Sequence, residues 1–170
     1  MATPLNTSSG SFDALYRDSA RDLYAYVRTL LADDAAAEDV TALAFERAYR
    51  RRASFDARRG SQRGWLFGIA RNAALDELRR RRRSAPLHGE LPDDRAAAPD
   101  EEAELAVRRT TVRAALAGLS PRDRELVALK FHGGLSNAEL AAVLGTSESN
   151  AGTRVHRAVT KLREACNAPA

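Results

Sequence analysis

The chain has 170 residues and a formal net charge of +4, and it is 44% hydrophobic but only 6% aromatic, which permits one domain or two small ones. Its single cysteine, Cys166, excludes an intrachain disulfide and a Cys-based zinc site, and its three histidines lie in unrelated local contexts. The first eleven residues lack the pattern of a signal peptide and no stretch approaches about 20 apolar residues, so we expect a cytoplasmic protein without membrane contact, metal or cofactor.

The chain opens with a polar segment and two helices. Residues 1–11 are polar and rich in turn formers, and we expect them to be disordered. Apolar positions then keep helical spacing over the first helix, which the Asp33-Asp34 pair ends. A second helix is predicted from about Ala35 to Arg51. Its inward positions are Val40, Leu43, Ala44 and Ala48.

A strongly basic region follows. Between Phe45 and Arg83 there are thirteen arginines and four acids, a net charge of +9. Residues 54–64 read as a basic loop, and a third helix is predicted to begin at Trp65 and to continue into the run Arg79–Arg83. One stripe of this helix can pack, and it consists of Leu66, Ile69, Ala70 and Ala73. The opposite face carries polar side chains. The outward positions are Asn72, Asp76, Arg79 and Arg83.

The arginine run is typical of a surface that contacts nucleic-acid phosphates whatever the base sequence. Arg58, Arg59 and Arg63 in the preceding loop reinforce the same patch. The alternative is a solvated helix end, where cations interact favourably with the helix dipole.

Residues 84–103 differ abruptly in composition. They contain Pro86, Pro92 and Pro99, an alanine run and many acids, and residues 84–104 carry a net charge of −6. This composition predicts a flexible acidic linker. The fold class expected from the whole chain is therefore all-α, with two small helical domains joined by that linker.

Helices resume near Glu104. The first ends at Gly118, and Ser120-Pro121 opens the next with a cap and a proline at the first helical position. Gly133-Gly134 stops that helix.

Residues 135–151 are typical of a helix-turn-helix. Ser136 and Glu139 can form a capping box, and Gly145 stands where a helix needs a left-handed stop. Thr146 and Ser147 are suitable caps for a second helix with a polar and basic outer face, which fits entry into a DNA groove. The alternative is an ordinary αα-hairpin with a solvated charged face.

Two segments resemble a known family. The string from Gly64 to Arg80 (GWLFGIARNAALDELRR) resembles the second domain of bacterial RNA polymerase sigma factors, with the closest likeness to the extracytoplasmic-function (ECF) class. Residues 37–40, with Phe45, Arg47, Ala48 and Tyr49, match the preceding helix of that family. Residues 119–125 and the helix-turn-helix resemble its fourth domain. The resemblance implies a second domain at 12–83, a linker at 84–103 and a fourth domain at 104–166.

The resemblance implies a subunit that binds core RNA polymerase and confers promoter recognition. The second domain would dock on the clamp helices of the largest subunit and help to melt the minus-ten element of promoter DNA. The minus-ten residues by motif match are Arg59, Ser61, Gln62, Arg63, Trp65, Asn72, Asp76, Arg79 and Arg80. Amide and hydroxyl groups suit the reading of base edges, and arginines suit tracking of the backbone.

The fourth domain would place its second helix in the major groove of the minus-thirty-five element. The expected DNA-facing residues are Ser149, Thr153, Arg154, His156 and Arg157. Further expected partners are the flap of the second-largest polymerase subunit and an anti-sigma factor.

The chain departs from the family pattern at two places. Core polymerase binding is expected from Asp39, Val40, Leu43 and Arg47, but Ala42 and Leu43 replace a common Gln-Glu pair. In the recognition helix, Gly152 stands where Lys or Arg is often found. A glycine inside a helix costs about 1 kcal/mol relative to alanine, and a phosphate or base contact is lost as well.

A second interpretation is a stand-alone dimeric helix-turn-helix regulator, with residues 12–83 as a sensor or dimerisation module. The basic patch favours a sigma factor, because it lies beside Trp65 and not only on the helix-turn-helix. An enzyme is not expected, because the basic region lacks a catalytic constellation of acids or a nucleophile.

Overall fold

The structure is a computed structural model that describes residues 9–84 and 103–167. Over these residues it contains seven α-helices and two short 3-10 turns, without strands, which confirms the all-α prediction. The expected disordered start falls mainly on residues 1–8 and the acidic linker mainly on residues 85–102, so both lie largely outside the described residues.

Three helices form the first half of the chain. They are α1 (Ser9–Leu31), α2 (Asp34–Arg50) and α3 (Gln62–Ser84), with 3-10 turns at Arg52–Ser54 and Ala57–Arg59. Helix α1 therefore begins three residues before the predicted Phe12. The three helices pack on one another, and the rings of Tyr26 and Phe67 meet at 5.5 Å between centroids in their core.

The corner between α1 and α2 is held by the far end of α3. Ala32 adopts a left-handed φ of 51°, and the Asp33 side chain then caps α2 by accepting from the Ala36 amide at 2.9 Å. Arg81 donates to the Leu31 carbonyl at 3.2 Å and pairs with Asp33 at 3.1 Å. This arginine of the basic run is thus a structural tie.

Helix α3 starts at Gln62, three residues before the predicted Trp65. Ser61 explains the difference, because its hydroxyl accepts from the Gly64 amide at 3.0 Å and so caps the helix. The predicted packing stripe is confirmed by burial of Leu66, Ile69, Ala70 and Ala73.

The second half contains α4 (Ala103–Gly118), α5 (Pro121–Phe131), α6 (Asn137–Leu144) and α7 (Glu148–Asn167). Ser120 caps α5 through the Asp123 amide, with Pro121 in the first turn, as predicted. Between α5 and α6, Gly133 is tightly enclosed: a Cβ there would lie 2.4 Å from the Leu129 carbonyl oxygen.

The two halves are packed together. Helix α1 lies against α5 and α3 against α6, and the buried apolar residues of both halves form one contiguous cluster. The sequence predicted a flexible acidic linker between the halves, but it did not predict that the halves pack against each other.

Candidate nucleic-acid interface

The predicted helix-turn-helix is formed by α6 and α7. Ser136 and Glu139 make the reciprocal capping box, and Gly145 is left-handed with φ 64° and ψ 41°. Ser147 caps α7 by accepting from the Asn150 amide at 3.2 Å. Each of these features was predicted from the sequence.

The outer face of α7 is open to solvent. Ala151, Val155 and Ala158 are buried on its inner face. Four of the five predicted minus-thirty-five residues are exposed, namely Ser149, Thr153, His156 and Arg157. The fifth, Arg154, is half-buried. A polar and cationic helix face after a capped turn is suited to major-groove contact.

Gly152 lies where α7 approaches the start of α6. A Cβ at this position would be 3.0 Å from the Asn137 Nδ2 atom, so the glycine permits a close approach of the two helices. Asn137 is exposed, and its side chain can move aside.

The loop before α3 and the first turns of that helix form a cleft of about 430 Å³. The Trp65 ring packs against Phe55 at 5.6 Å between centroids. Among the predicted minus-ten residues, Arg59, Ser61, Trp65 and Asn72 line this cleft. Its opposite wall comes from the second half of the chain, through Glu139, Ala142 and Val143.

The predicted minus-ten residues do not all present free side chains. Ser61 donates a hydrogen bond to Glu139 while it caps α3, and Gln62 is half-buried. Arg63 uses all five N–H donors of its guanidinium group within the protein. Its acceptors are the Asp18, His132 and Gly133 carbonyls, the Ser19 hydroxyl and the Asp22 carboxylate.

Part of the arginine run is neutralised within α3. Arg79 pairs with Asp76 at 3.0 Å, and Arg80 donates twice to Glu77 at 2.8 Å. The hydrogen bond from Arg80, with a further one from Arg81, lowers the pKa of Glu77 to about 2 against partial desolvation. Arg79 and Arg80 nevertheless stay about two-thirds exposed, so they can still meet a phosphate.

The predicted polymerase-binding residues lie along α2. Asp39 is exposed, while Leu43 and Arg47 are half-buried. Val40 is only 5% exposed and belongs to the core. It supports this surface from within, and Ala42 is exposed beside it.

Two residues outside the predicted site connect the halves. Arg71 on α3 donates to Glu125 on α5 at 2.5 Å, and the Tyr26 hydroxyl donates to the same carboxylate at 3.4 Å. Burial, with the Glu125 charge, raises the pKa of Tyr26 well above its usual value. No local sequence pattern links Arg71 to Glu125, because they are 54 positions apart.

Metal sites and membrane-spanning helices are absent over the described ranges, 9–84 and 103–167. No group of three or more His, Cys, Asp or Glu side chains there could hold a metal ion. None of the helices in these ranges is long and apolar enough to cross a membrane.

Comparison with known proteins matches both halves to one family. Residues 15–84 match the model for Sigma-70 region 2, and residues 109–162 match the model for Sigma-70 region 4. The chain is 34% identical to the ECF RNA polymerase sigma factor SigL of Mycobacterium tuberculosis, over 88% of this chain and 85% of the relative. It is 32% identical to SigX of Bacillus subtilis, over 91% and 82% of the two chains.

Solved structures agree with the fold. The sigma factor RpoE of Bartonella quintana, in complex with the anti-sigma factor NepR, superposes with a TM-score of 0.77 at 24% identity, over 94% of this chain and 99% of that one. CnrH, in complex with the cytosolic domain of CnrY, gives a TM-score of 0.68 at 26% identity, over 96% and 92%. With two region models matched in order and relatives above 30% identity over most of both chains, the chain belongs to the ECF sigma factors, non-enzymatic subunits that bind core RNA polymerase and direct promoter-specific initiation.

Proposed function

We propose that this sigma factor divides promoter recognition between two faces, one for each half of the chain. The observation that carries the proposal is the separation of two nucleic-acid surfaces of different chemistry. One is the polar outer face of α7, and the other is the cleft and arginine surface of α3. Because each surface suits a different form of DNA, the two elements of a promoter can be read separately.

The α3 face reads the minus-ten element as a single strand. Trp65 with Phe55 offers an aromatic surface for an unstacked base, and the exposed Asn72 amide can pair with a base edge. Arg59, Arg79 and Arg80 supply exposed cations for the phosphates. Ser61, Gln62, Arg63 and Asp76 complete the motif-matched set.

The α7 face reads the minus-thirty-five element in the major groove. Ser149, Thr153 and His156 lie on the exposed face with Arg157, while Arg154 stands at its edge. Side chains of this kind form hydrogen bonds with base edges and phosphates.

Helix α2 is the proposed docking surface for the clamp helices of the largest polymerase subunit. Asp39, Leu43 and Arg47 provide one acid, one apolar group and one cation near the surface, supported by Val40. With Ala42 in place of a polar residue, docking relies on these three side chains. The second half of the chain is proposed to meet the flap of the second-largest subunit.

An anti-sigma factor is a further proposed partner. CnrH, 26% identical to this chain, is held by the cytosolic domain of CnrY in its solved structure. Because polymerase and promoter DNA lie in the bacterial cytoplasm, we place the site of action there.

Two substitutions test the assignment of the minus-ten element to α3 and of the minus-thirty-five element to α7. Asn72→Ala removes a proposed base contact, so holoenzyme should assemble normally but melt the minus-ten region poorly in permanganate footprinting. Normal melting would contradict the assignment of the α3 face.

Arg157→Ala is the complementary change. It should weaken holoenzyme binding to a promoter with the minus-thirty-five element in a gel shift, and have no effect on a promoter that lacks this element. An equal loss on both promoters would contradict the assignment of α7.

A further inference from the structure

The loop between α2 and α3 contains a serine in the sequence context of a kinase substrate. Ser54 has Arg51 and Arg52 at three and two positions before it and the aromatic Phe55 directly after it. Serine kinases with basic substrates bind arginines at these positions through acidic side chains, and an apolar pocket receives the following residue. The segment 51–55 therefore presents a phosphate acceptor to a kinase of this class.

Three other hydroxyl groups have the same two arginines before them, and the structure distinguishes them from Ser54. Thr111 lies inside α4, where its hydroxyl donates to a backbone carbonyl of the same helix at 3.0 Å. Ser84 is the last residue of α3, and an alanine follows it. Ser61 caps α3 and donates to Glu139. Of the four, Ser54 combines a position outside the α-helices with a large apolar residue directly after it.

Ser54 is accessible to an enzyme. It is exposed, and it ends the short 3-10 turn Arg52–Ser54, in which no residue is buried. Its amide and its hydroxyl both donate to the Arg51 carbonyl, at 2.8 and 2.7 Å. Because these bonds join residues three positions apart, the segment can extend into the groove of a kinase while the helices stay packed.

Ser54 also lines the cleft that we assign to the minus-ten strand, together with Arg51 and Arg59. The first half of the chain contributes these two cations and one acid, Asp56, to the cleft, which gives its wall a net charge of +1. A phosphoserine carries about −1.5 to −2 charges at pH 7, which is enough to reverse that sign. A DNA strand would then be repelled where it is now attracted.

The cleft can hold such a phosphate in place. Arg51 and Arg59 are both exposed, and each can donate charge-assisted hydrogen bonds to a phosphate on Ser54. Arg58 is engaged elsewhere, because it pairs with Asp56 at 3.0 Å. The cations of the cleft would thus be used by a phosphate of the protein itself, and they would no longer serve the phosphates of DNA.

We propose that Ser54 is a phosphorylation site and that its phosphate turns off binding of the minus-ten strand. In the transfer, the Ser54 Oγ atom attacks the γ-phosphorus of ATP, and the bond from that phosphorus to the β–γ bridging oxygen breaks. ADP leaves with that oxygen, and the hydroxyl proton passes to a carboxylate base of the kinase. The inference rests on the proposed minus-ten role of the α3 face, while the α7 face and the α2 surface keep their functions.

The first experiment determines whether Ser54 accepts phosphate. The full chain is incubated with ATP and an extract of its own bacterium, and the phosphorylated positions are mapped by mass spectrometry. Phosphate is expected on Ser54 and should be lost when Arg51→Ala and Arg52→Ala are combined. Arg108→Ala, which removes the equivalent arginine before Thr111, should leave the phosphorylation of Ser54 unchanged. The proposal would be overturned if Ser54 stayed unmodified, or if it were modified equally without its two arginines.

The second experiment measures the consequence for DNA binding. Phosphoserine is encoded at position 54 of the full chain, and the assembled holoenzyme is titrated with a labelled minus-ten oligonucleotide of the non-template strand. The oligonucleotide should bind roughly tenfold more weakly, and the slope of log affinity against log salt should become shallower by about 1.4, since two phosphate contacts are lost. Treatment with a phosphatase should restore both values, and holoenzyme assembly should not change.

Two glutamate variants show whether the position of the charge matters. Ser54→Glu adds a negative charge to the cleft and should weaken oligonucleotide binding in part, whereas Thr111→Glu adds the same charge on α4 and should have no effect. Asn72→Ala is titrated in parallel. If Asn72→Ala weakened binding while phosphoserine at position 54 did not, the switch would be overturned and the minus-ten assignment of α3 would stand. If neither change weakened binding, both would be overturned.

Discussion

At the residue scale, the arginines of the basic run have different tasks although the sequence presents them as one block. Arg81 joins α3 to the α1–α2 corner, while Arg80 and Arg79 pair with acids one turn earlier. A run of like residues on a helix faces several directions, so the neighbours of each one decide its role. The sequence predicted the charge of this surface, but not which cations the fold itself uses.

Glu77 offers a test of this structural use of arginine. Its carboxylate accepts from Arg80 at 2.8 Å and Arg81 at 2.9 Å, so Glu77→Gln should lower the free energy of unfolding by about 1–2 kcal/mol at pH 7. Asp76→Asn is the control, because Asp76 and its partner Arg79 are both about two-thirds exposed. Its effect should stay within about 0.5 kcal/mol.

The effect of Glu77 should depend on pH in one direction. The pKa of Glu77 is about 2 in the folded protein and near 4.5 without its partners. A lowered pKa means that the stabilisation is complete above about pH 5 and is lost as the pH falls from 4.5 toward 2. The unfolding free energies of the unchanged protein and of Glu77→Gln, measured by urea titration, should therefore converge as the pH falls from 7 to 3. A constant difference over this range would contradict the assigned hydrogen bonds.

At the element scale, the helix-turn-helix was the most predictable part of the chain. The capping box, the left-handed glycine and the cap of the next helix are three separate features. Each depends on residues within four positions along the chain, so a local pattern can specify it. The start of α3 was predicted three residues late, because the cap at Ser61 lies inside a segment whose basic composition indicated a loop.

Gly152 provides a prediction for the recognition helix. Gly152→Ala should stabilise the protein by up to about 1 kcal/mol, reduced by the shift that the exposed Asn137 side chain must make. Gly152→Lys should also add a phosphate contact, so binding of holoenzyme to the minus-thirty-five element should strengthen. The slope of log affinity against log salt should steepen by about 0.9.

The alanine variant separates the two contributions of this position. Thermal unfolding measures helix stability, and gel shifts at several salt concentrations measure the added charge. If Gly152→Lys bound DNA no better than Gly152→Ala and with the same salt slope, position 152 would not face the phosphates.

At the scale of the whole molecule, the order of helices and the two-part organisation could be predicted, whereas the packing of the two halves on each other could not. Contacts such as Arg71 with Glu125 and Ser61 with Glu139 join residues 54 and 78 positions apart. Neither pair belongs to a periodic pattern or a motif. The acidic residues between the two halves indicated only a connection between them, and a connection leaves their relative placement undetermined.

The packing of the two halves on each other also changes the interpretation of the minus-ten set. Ser61 and Arg63 matched the motif from sequence, but in the structure they contact the second half of the chain. All five N–H donors of Arg63 are used within the protein, so in this arrangement none is left for DNA.

The most direct test of the account is promoter-specific transcription in vitro, with the purified protein and core bacterial RNA polymerase on the DNA upstream of its own gene. We expect a discrete transcript that requires both components and that is reduced by Asn72→Ala and by Arg157→Ala. The absence of any transcript, together with tight binding of the protein alone to that DNA as a dimer, would contradict the account and indicate a helix-turn-helix regulator instead.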